Sequence, residues 1–171
     1  ALLLDVVDKL QPLAEARGVA VTSSDLESCE VMGDDIRLSQ AFFNVVDNAI
    51  KYTSAGGVVD ITCRIEDRFA VIAVRDTGIG IRPEHLERVF DRFYRVDSSR
   101  HSQTGGAGLG LAICRTAVLA HNGEIRIQSE EGVGTTITIR LPIVFSPPGD
   151  MTRPANRSDV ESITTHASSL S

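Results

Sequence analysis

The chain has 171 residues and a mass of 18.4 kDa, with 42% hydrophobic residues, 23% charged residues and a formal net charge of −6. That is one ordinary domain, or one domain with a tail, and its apolar content suffices for a packed core. The acidic balance argues against a nucleic-acid binder held by a basic surface, so no nucleic-acid partner is expected, although local binding of an anionic nucleotide stays open. Cys29, Cys63 and Cys114 are widely spaced and odd in number. This speaks against a disulfide framework or a zinc site and fits a reducing compartment. No apolar run approaches the ~20 residues that span a bilayer. Ala1-Leu2-Leu3-Leu4 meets Asp5 and Asp8 too soon for a signal peptide. The chain opens on Ala1 rather than Met, and we expect an excised piece of a longer protein.

Leu2 to Arg17 reads as a helix, with Leu3, Val6, Val7, Leu10, Leu13 and Ala14 on one face and Gly18 as its C-cap. Val19 to Ser23 alternates as a short strand. Asp34 to Tyr52 is a strongly amphipathic helix, and Gly56-Gly57 breaks the chain. Val58 to Arg64 and Phe69 to Arg75 are strands joined by a turn at Glu66-Asp67-Arg68. Pro83 opens a short helix at the position where proline is tolerated. Leu109 to His121 is a further helix, stopped by Asn122-Gly123. Glu124 to Ser129 and Thr135 to Leu141 are strands around Glu131-Gly132. From Ser146 to Ser171 the apolar residues are scattered among prolines and serines, as in a flexible tail. There is no internal repeat and no regular βαβ alternation. The pattern predicts an α+β fold: a two-layer sandwich with a mixed, mostly antiparallel sheet backed by helices.

Three segments carry chemistry. At 100° per residue, Asn44, Asp47, Asn48 and Lys51 share one polar stripe, opposite Leu38, Phe42, Val45, Val46, Ala49 and Ile50. An amide carbonyl there is a hard ligand suited to Mg²⁺, and a Lys beside it can meet phosphate; an ordinary solvated helix face would look the same. Asp76-Thr77-Gly78-Ile79-Gly80-Ile81 follows an apolar strand. Its glycines let the backbone lie against a flat ligand, and a carboxylate at a strand end can accept from an exocyclic amine such as adenine carries; a tight turn with a solvated Asp is the alternative. Gly105-Gly106-Ala107-Gly108-Leu109-Gly110-Leu111-Ala112 opens a helix whose first amides make an anion site. It is neither a Walker A loop nor a GxGxxG fingerprint, and a flexible linker remains open.

The order and spacing of these segments say more than each alone. Asn44-x-x-x-Asn48, Asp76-x-Gly78-x-Gly80, Phe90-x-x-Phe93 and Gly106-x-Gly108-x-Gly110 together resemble the N, G1, F and G2 boxes of sensor histidine kinases. Asp91-Arg92-Phe93-Tyr94-Arg95 and Gly132-x-Gly134-Thr135-Thr136 look like further signatures of that family. The resemblance runs from about Leu2 to Leu141. It implies the Bergerat ATP-binding fold shared with gyrase, Hsp90 and MutL, with a mobile lid over the nucleotide. By resemblance, Asn48 holds Mg²⁺, Asn44 supports the phosphate region, Lys51 meets phosphate and Tyr52 stacks near the base. Asp76 takes the adenine amine, with Gly78, Gly80 and Ile81 shaping the base pocket. Arg95 reaches the terminal phosphate. Gly106, Gly108, Leu109, Gly110 and Leu111 present amides to the phosphates, and Thr136 lies near the base. Asn44, Lys51 and Arg95 are then the residues closest to the transfer chemistry, and the cofactors are ATP and Mg²⁺.

The family transfers phosphate to a His on a separate helical hairpin, usually followed by an acid and then a Pro. None of His85, His101, His121 and His166 has that context. The acceptor hairpin is therefore expected before Ala1. Residues 1–17 would be the helix leading from it, 18–145 the catalytic domain and 146–171 the tail. The implied partners are that hairpin and a response regulator receiver domain. The parent is expected to be a homodimer tethered to the inner membrane, with this domain in the cytoplasm. Gyrase- or Hsp90-type ATPases and anti-sigma serine kinases carry Glu where Asn44 stands. An amide cannot act as a base, which favours transfer to an imidazole that is already nucleophilic.

Overall fold

The computed structural model describes residues 2–96 and 108–144. Nine elements follow in chain order: α1 Leu2–Arg17, β1 Ala20–Leu26, α2 Asp35–Lys51, β2 Val58–Glu66, β3 Phe69–Asp76, α3 Pro83–Leu86, α4 Gly110–Ala120, β4 Glu124–Glu130 and β5 Gly134–Pro142. The five strands form one sheet in the order β1-β2-β3-β5-β4. β1 runs parallel to β2, and the other three pairings are antiparallel. The expected mixed, mostly antiparallel sheet with helices packed on it is the observed architecture.

Strand alternation decides which side carries the helices. Val59, Ile61 and Cys63 of β2, Ala70, Ile72 and Val74 of β3, and Ile137, Ile139 and Leu141 of β5 are all buried. Residues of one strand at spacing two share a face, so these nine form one apolar wall. α2 lays Leu38, Ala41, Phe42, Val45, Val46, Ala49 and Ile50 against it, at the spacing that marks an apolar helix face. α1 adds Val6, Leu10 and Ala14, and α4 adds Ala112, Cys114, Ala117 and Val118, to the same core. α1 was expected as a connecting segment; its buried face makes it part of this core. None of the described helices is long and apolar enough to cross a membrane.

The element ends depart from the sequence reading in instructive ways. α1 continues through Pro12. Pro lacks the N–H that would reach the Asp8 carbonyl, but both residues are exposed and that carbonyl can turn to water. Asp34 is the cap of α2 and not its first residue: its Oδ1 accepts from the N–H groups of Ile36 at 3.0 Å and Arg37 at 3.1 Å. β1 runs on to Leu26 through an irregularity after Ser23, where Asp25 adopts φ 55°. The hydroxyls of Thr22 and Ser24 hold that stretch by donating to Asp60 Oδ1 at 2.7 and 2.9 Å. β2 and β3 pair to their ends, from Val59 with Asp76 to Glu66 with Phe69, around Asp67 at φ 55°. Gly105, Gly106 and Ala107, the proposed lid between them and Arg95, His101, and the tail 146–171 lie outside the described residues.

Candidate functional site

A cavity of about 300 Å³ opens between α2, the end of β3, the turn after it and the start of α4. Sequence positions 44 to 137 converge there. Asn44, Asn48, Lys51, Tyr52, Asp76, Gly80, Ile81, Arg95, Gly108, Gly110 and Leu111 all line it. Val74, Ile127, Ile137 and Ala49 supply an apolar surface beside them. The volume is at the small end of the range for small-molecule sites, and the mix of an apolar wall with few polar groups is typical of them.

Asp76 marks the buried end, at 8% exposure. It is the last residue of β3 and pairs with Thr135 across the sheet. Among the described residues, both hydrogen bonds it accepts fall on Oδ1, from Gly78 N at 2.8 Å and Thr135 N at 3.2 Å. Neither of them engages Oδ2. Burial pushes this carboxyl above its ordinary value, and the two amides partly offset the shift. Gly78 itself does not line the cavity. Its part is to let the chain fold back, since a Cβ there would run into the Tyr52 carbonyl. At Gly80, φ is 68° and a Cβ would collide with the Glu130 carbonyl, so both the dihedral and the close approach require glycine.

The polar residues that α2 contributes to the wall are only partly buried. Lys51 Nζ lies 2.6 Å from Asp47 Oδ2, one helical turn away. An ammonium has three hydrogens, so this ion pair leaves donors for an anion. Asn48 lies on the same stripe and lines the cavity. Asn44 is engaged within the protein: its Nδ2 donates to the Gly110 carbonyl at 3.1 Å and its Oδ1 accepts from Gln40 Nε2 at 3.0 Å. It therefore ties α2 to the first turn of α4. No side chain caps the N-terminus of α4 at Leu109. Gly108 and Gly110 line the cavity there, whereas Leu109 does not.

One side chain falls elsewhere than expected. Thr136 is not in the cavity wall, and its neighbours Thr135 and Ile137 are. The reason is the period of two along β5, which points Thr136 to the other face of the sheet. Asp76 pairing with Thr135 is what brings Thr135 to the site, and a motif without a register cannot show this. Phe93 adopts φ 64° and is 72% exposed. Tyr94 turns back to the cavity instead, its hydroxyl hydrogen-bonded to His85 Nδ1 and its ring under the Arg88 guanidinium at 4.2 Å.

The donor set also bears on a metal. Among the described residues there is no group of three His, Cys, Asp or Glu that could hold an ion. A single amide carbonyl at Asn48 fits a Mg²⁺ that arrives with phosphates and keeps several waters, which is how this ion is usually bound.

The histidine kinase-, DNA gyrase B- and HSP90-like ATPase family model matches residues 33–144, and the chain belongs to that family. Sensor histidine kinase RppB of Synechocystis is 45% identical over 149 residues, which cover 86% of this chain and 32% of RppB. Sensor histidine kinase CusS of Escherichia coli is 41% identical, over 80% of this chain and 28% of that protein. The chain thus spans about a third of the length of the curated relatives it matches. Among solved structures, the mycobacterial sensor histidine kinase MprB superposes with a TM-score of 0.70 at 33% identity, over 82% of this chain and 93% of that one. ShkA, solved in complex with AMPPNP, superposes with a TM-score of 0.74 at 30% identity, over 85% of this chain and 30% of that one.

Proposed function

We propose that this chain is the ATP-binding catalytic domain of a two-component sensor histidine kinase. It binds Mg-ATP and passes the γ-phosphoryl group to a His on a separate helical hairpin, for relay to a response regulator Asp. The carrying observation is one cavity lined both by the buried carboxylate Asp76 and by Asn48, Lys51 and Arg95. That set suits a ligand that carries a flat amine-bearing base and phosphates. The AMPPNP bound by ShkA is such a ligand.

Each residue then has a defined task. Asp76 Oδ2 accepts from the adenine amine, while Gly78 and Thr135 hold its other oxygen. Tyr52 and Ile81 flank the base. Asn48 offers its carbonyl oxygen to Mg²⁺, whose bound charge offsets that of the phosphates. Lys51 and the first amides of α4 face the phosphates. Arg95 bears on the terminal phosphate, where charge is redistributed during transfer. Asn44 carries no carboxylate to activate water, which suits transfer to an imidazole over hydrolysis.

The two described histidines are engaged in the fold. His85 bonds Tyr94, and His121 bonds Asp34 and Ala117. In this reading the acceptor belongs to another segment of the parent, and the parent is a homodimer tethered to a membrane with this domain on its cytoplasmic side. Incubating the chain with γ-labelled ATP tests the reading. The chain alone should remain unlabelled, and adding an acceptor hairpin should yield an acid-labile phosphohistidine. Stable label on the chain by itself would sink it.

A further inference from the structure

Ser129, on β4, is absent from the motif reading and from the cavity wall. It shares a face of β4 with Ile127, which does line the cavity, and contacts both the turn at Ile81 and the start of β5. Its Oγ accepts from Ile81 N at 2.8 Å. It lies 2.9 Å from the Gly134 carbonyl oxygen and 2.8 Å from Thr135 Oγ1. A hydroxyl has one hydrogen and two lone pairs. A carbonyl can only accept, so the Ser129 hydrogen goes to Gly134. An amide N–H can only donate, so Ile81 occupies one lone pair. One arrangement then satisfies the last contact: Thr135 donates its hydroxyl hydrogen to the second lone pair of Ser129.

This fixes what Thr135 shows to a ligand. Thr135 lines the cavity, and its backbone N–H already holds Asp76. With its hydroxyl hydrogen turned back toward Ser129, it presents lone pairs, as the Asp76 carboxylate does. Ser129 also anchors the loop opposite. Ile81 docks on its hydroxyl, Gly132 N donates to Ile79 O at 2.8 Å, and Gly80 packs against the Glu130 carbonyl. Two neighbouring acceptors match the pair of hydrogens on an exocyclic amine. A carbonyl oxygen at the same place would meet lone pairs and leave buried acceptors unpaired, which is an effective way to reject a ligand.

We infer that Ser129 is a positioning residue for base selection: it holds the Thr135 hydroxyl as an acceptor and so sets the buried end of the cavity for a 6-amino purine against a 6-oxo purine. The inference rests on the proposal that Asp76 binds an adenine amine. ADP and inosine diphosphate differ at that position, and titrating each into the full chain by calorimetry tests it. Ser129→Ala frees the Thr135 hydroxyl to donate into the cavity and should narrow the ADP preference at least about fivefold, with Ser129→Thr restoring it. In a Thr135→Val background, Ser129→Ala should move the preference by less than about twofold, because the coupling partner is gone. Thr135→Val alone should weaken ADP more than inosine diphosphate, a readout that does not depend on the folding of Ser129→Ala. An unchanged preference in Ser129→Ala, an equal shift in both backgrounds, or a larger loss for inosine diphosphate in Thr135→Val would each overturn the role of Ser129 while leaving the adenine reading standing. A wild-type chain that fails to bind ADP would overturn both.

Discussion

Burial pushes the Asp76 carboxyl above the usual carboxylate range, and the amides of Gly78 and Thr135 pull it partly back. A carboxyl with a raised native pKa holds its proton more tightly folded than unfolded. Its charge therefore opposes folding above the native pKa, and that penalty fades as pH falls through this value toward the ordinary one. Binding has the opposite demand, since the ionised oxygen is the better acceptor for an amine. Asp76→Asn should thus raise the melting temperature of the nucleotide-free chain at neutral pH. The same change should weaken ADP by about tenfold even without metal, the scale of one lost charge assistance. Scanning calorimetry and titration calorimetry read the two arms, and weakening seen only with Mg²⁺ would refute the adenine assignment. ADP affinity of the wild type should likewise fall on acidification, starting above the pH where an exposed Asp titrates. Arg95 gives a second contrast. Its proposed partner is missing from ADP, so Arg95→Ala should leave ADP affinity within about threefold. Transfer to a supplied hairpin should drop at least ~10²-fold. An unchanged transfer rate at saturating ATP would remove Arg95 from the site.

α2 bears on three neighbours at once, and its ends are held by polar contacts that its apolar face does not provide. Asp34 caps it, and the backbone N–H of Asp34 donates to His121 Nε2 at 2.9 Å. That nitrogen is then an acceptor, so the ring hydrogen is on Nδ1 and goes to the Ala117 carbonyl at 2.7 Å. His121 thereby clasps the C-terminus of α4 to the N-terminus of α2. Gly33 packs so closely on the ring that a Cβ there would collide with it. His121→Ala leaves the Asp34 N–H without this partner and opens a gap. It should destabilise the chain by about 1–3 kcal/mol, measured by urea unfolding, and ADP affinity should change little because the clasp lies at the far ends of both helices. A loss below about 0.5 kcal/mol would show that the clasp contributes little. The buried thiols belong to the same scale: burial raises both Cys63 and Cys114 to about 12, and both behave as small apolar core residues.

At the scale of the molecule, the cavity is built from residues 44 to 137, drawn from α2, from β3, β5 and β4 on one face of the sheet, from the turn after β3 and from α4. A ligand there joins elements that are far apart in the chain. Binding to the folded state alone adds stability by mass action, about 2.7 kcal/mol at one hundred times Kd. Saturating Mg-ADP should accordingly raise the melting temperature by roughly 5–10 °C. Asn48→Ala should remove the part of that gain that depends on Mg²⁺ and keep the part seen with ADP in a chelator, because only the hard oxygen ligand is lost. An equal loss in both conditions would place Asn48 on the nucleotide and not on the metal.

Local pattern was enough for the helices and most of the strands, because their signals are short-range. The apolar spacing of Leu38 to Ile50 defines the inner face of α2, and the alternation of Val59 to Cys63 and Ala70 to Val74 defines the inner face of the sheet. That Asn44, Asn48 and Lys51 face one cavity was legible for the same reason: they are one stripe of one helix. What the chain's local order could not decide is register. Thr136 and Thr135 are equal candidates in Gly134-Thr135-Thr136, and only the pairing of Asp76 with Thr135 selects the second. Nor does any local signal mark Ser129, whose partners Ile81 and Thr135 lie on separate strands and turns. Asn44 likewise looked like a ligand, and it is the docking of α4 that gives it Gly110 as a partner. Periodicity along the chain determined which face each element buries. Pairing between strands and packing between helices determined which polar groups meet, since a hydrogen bond requires two atoms within about 3 Å whatever their separation in sequence.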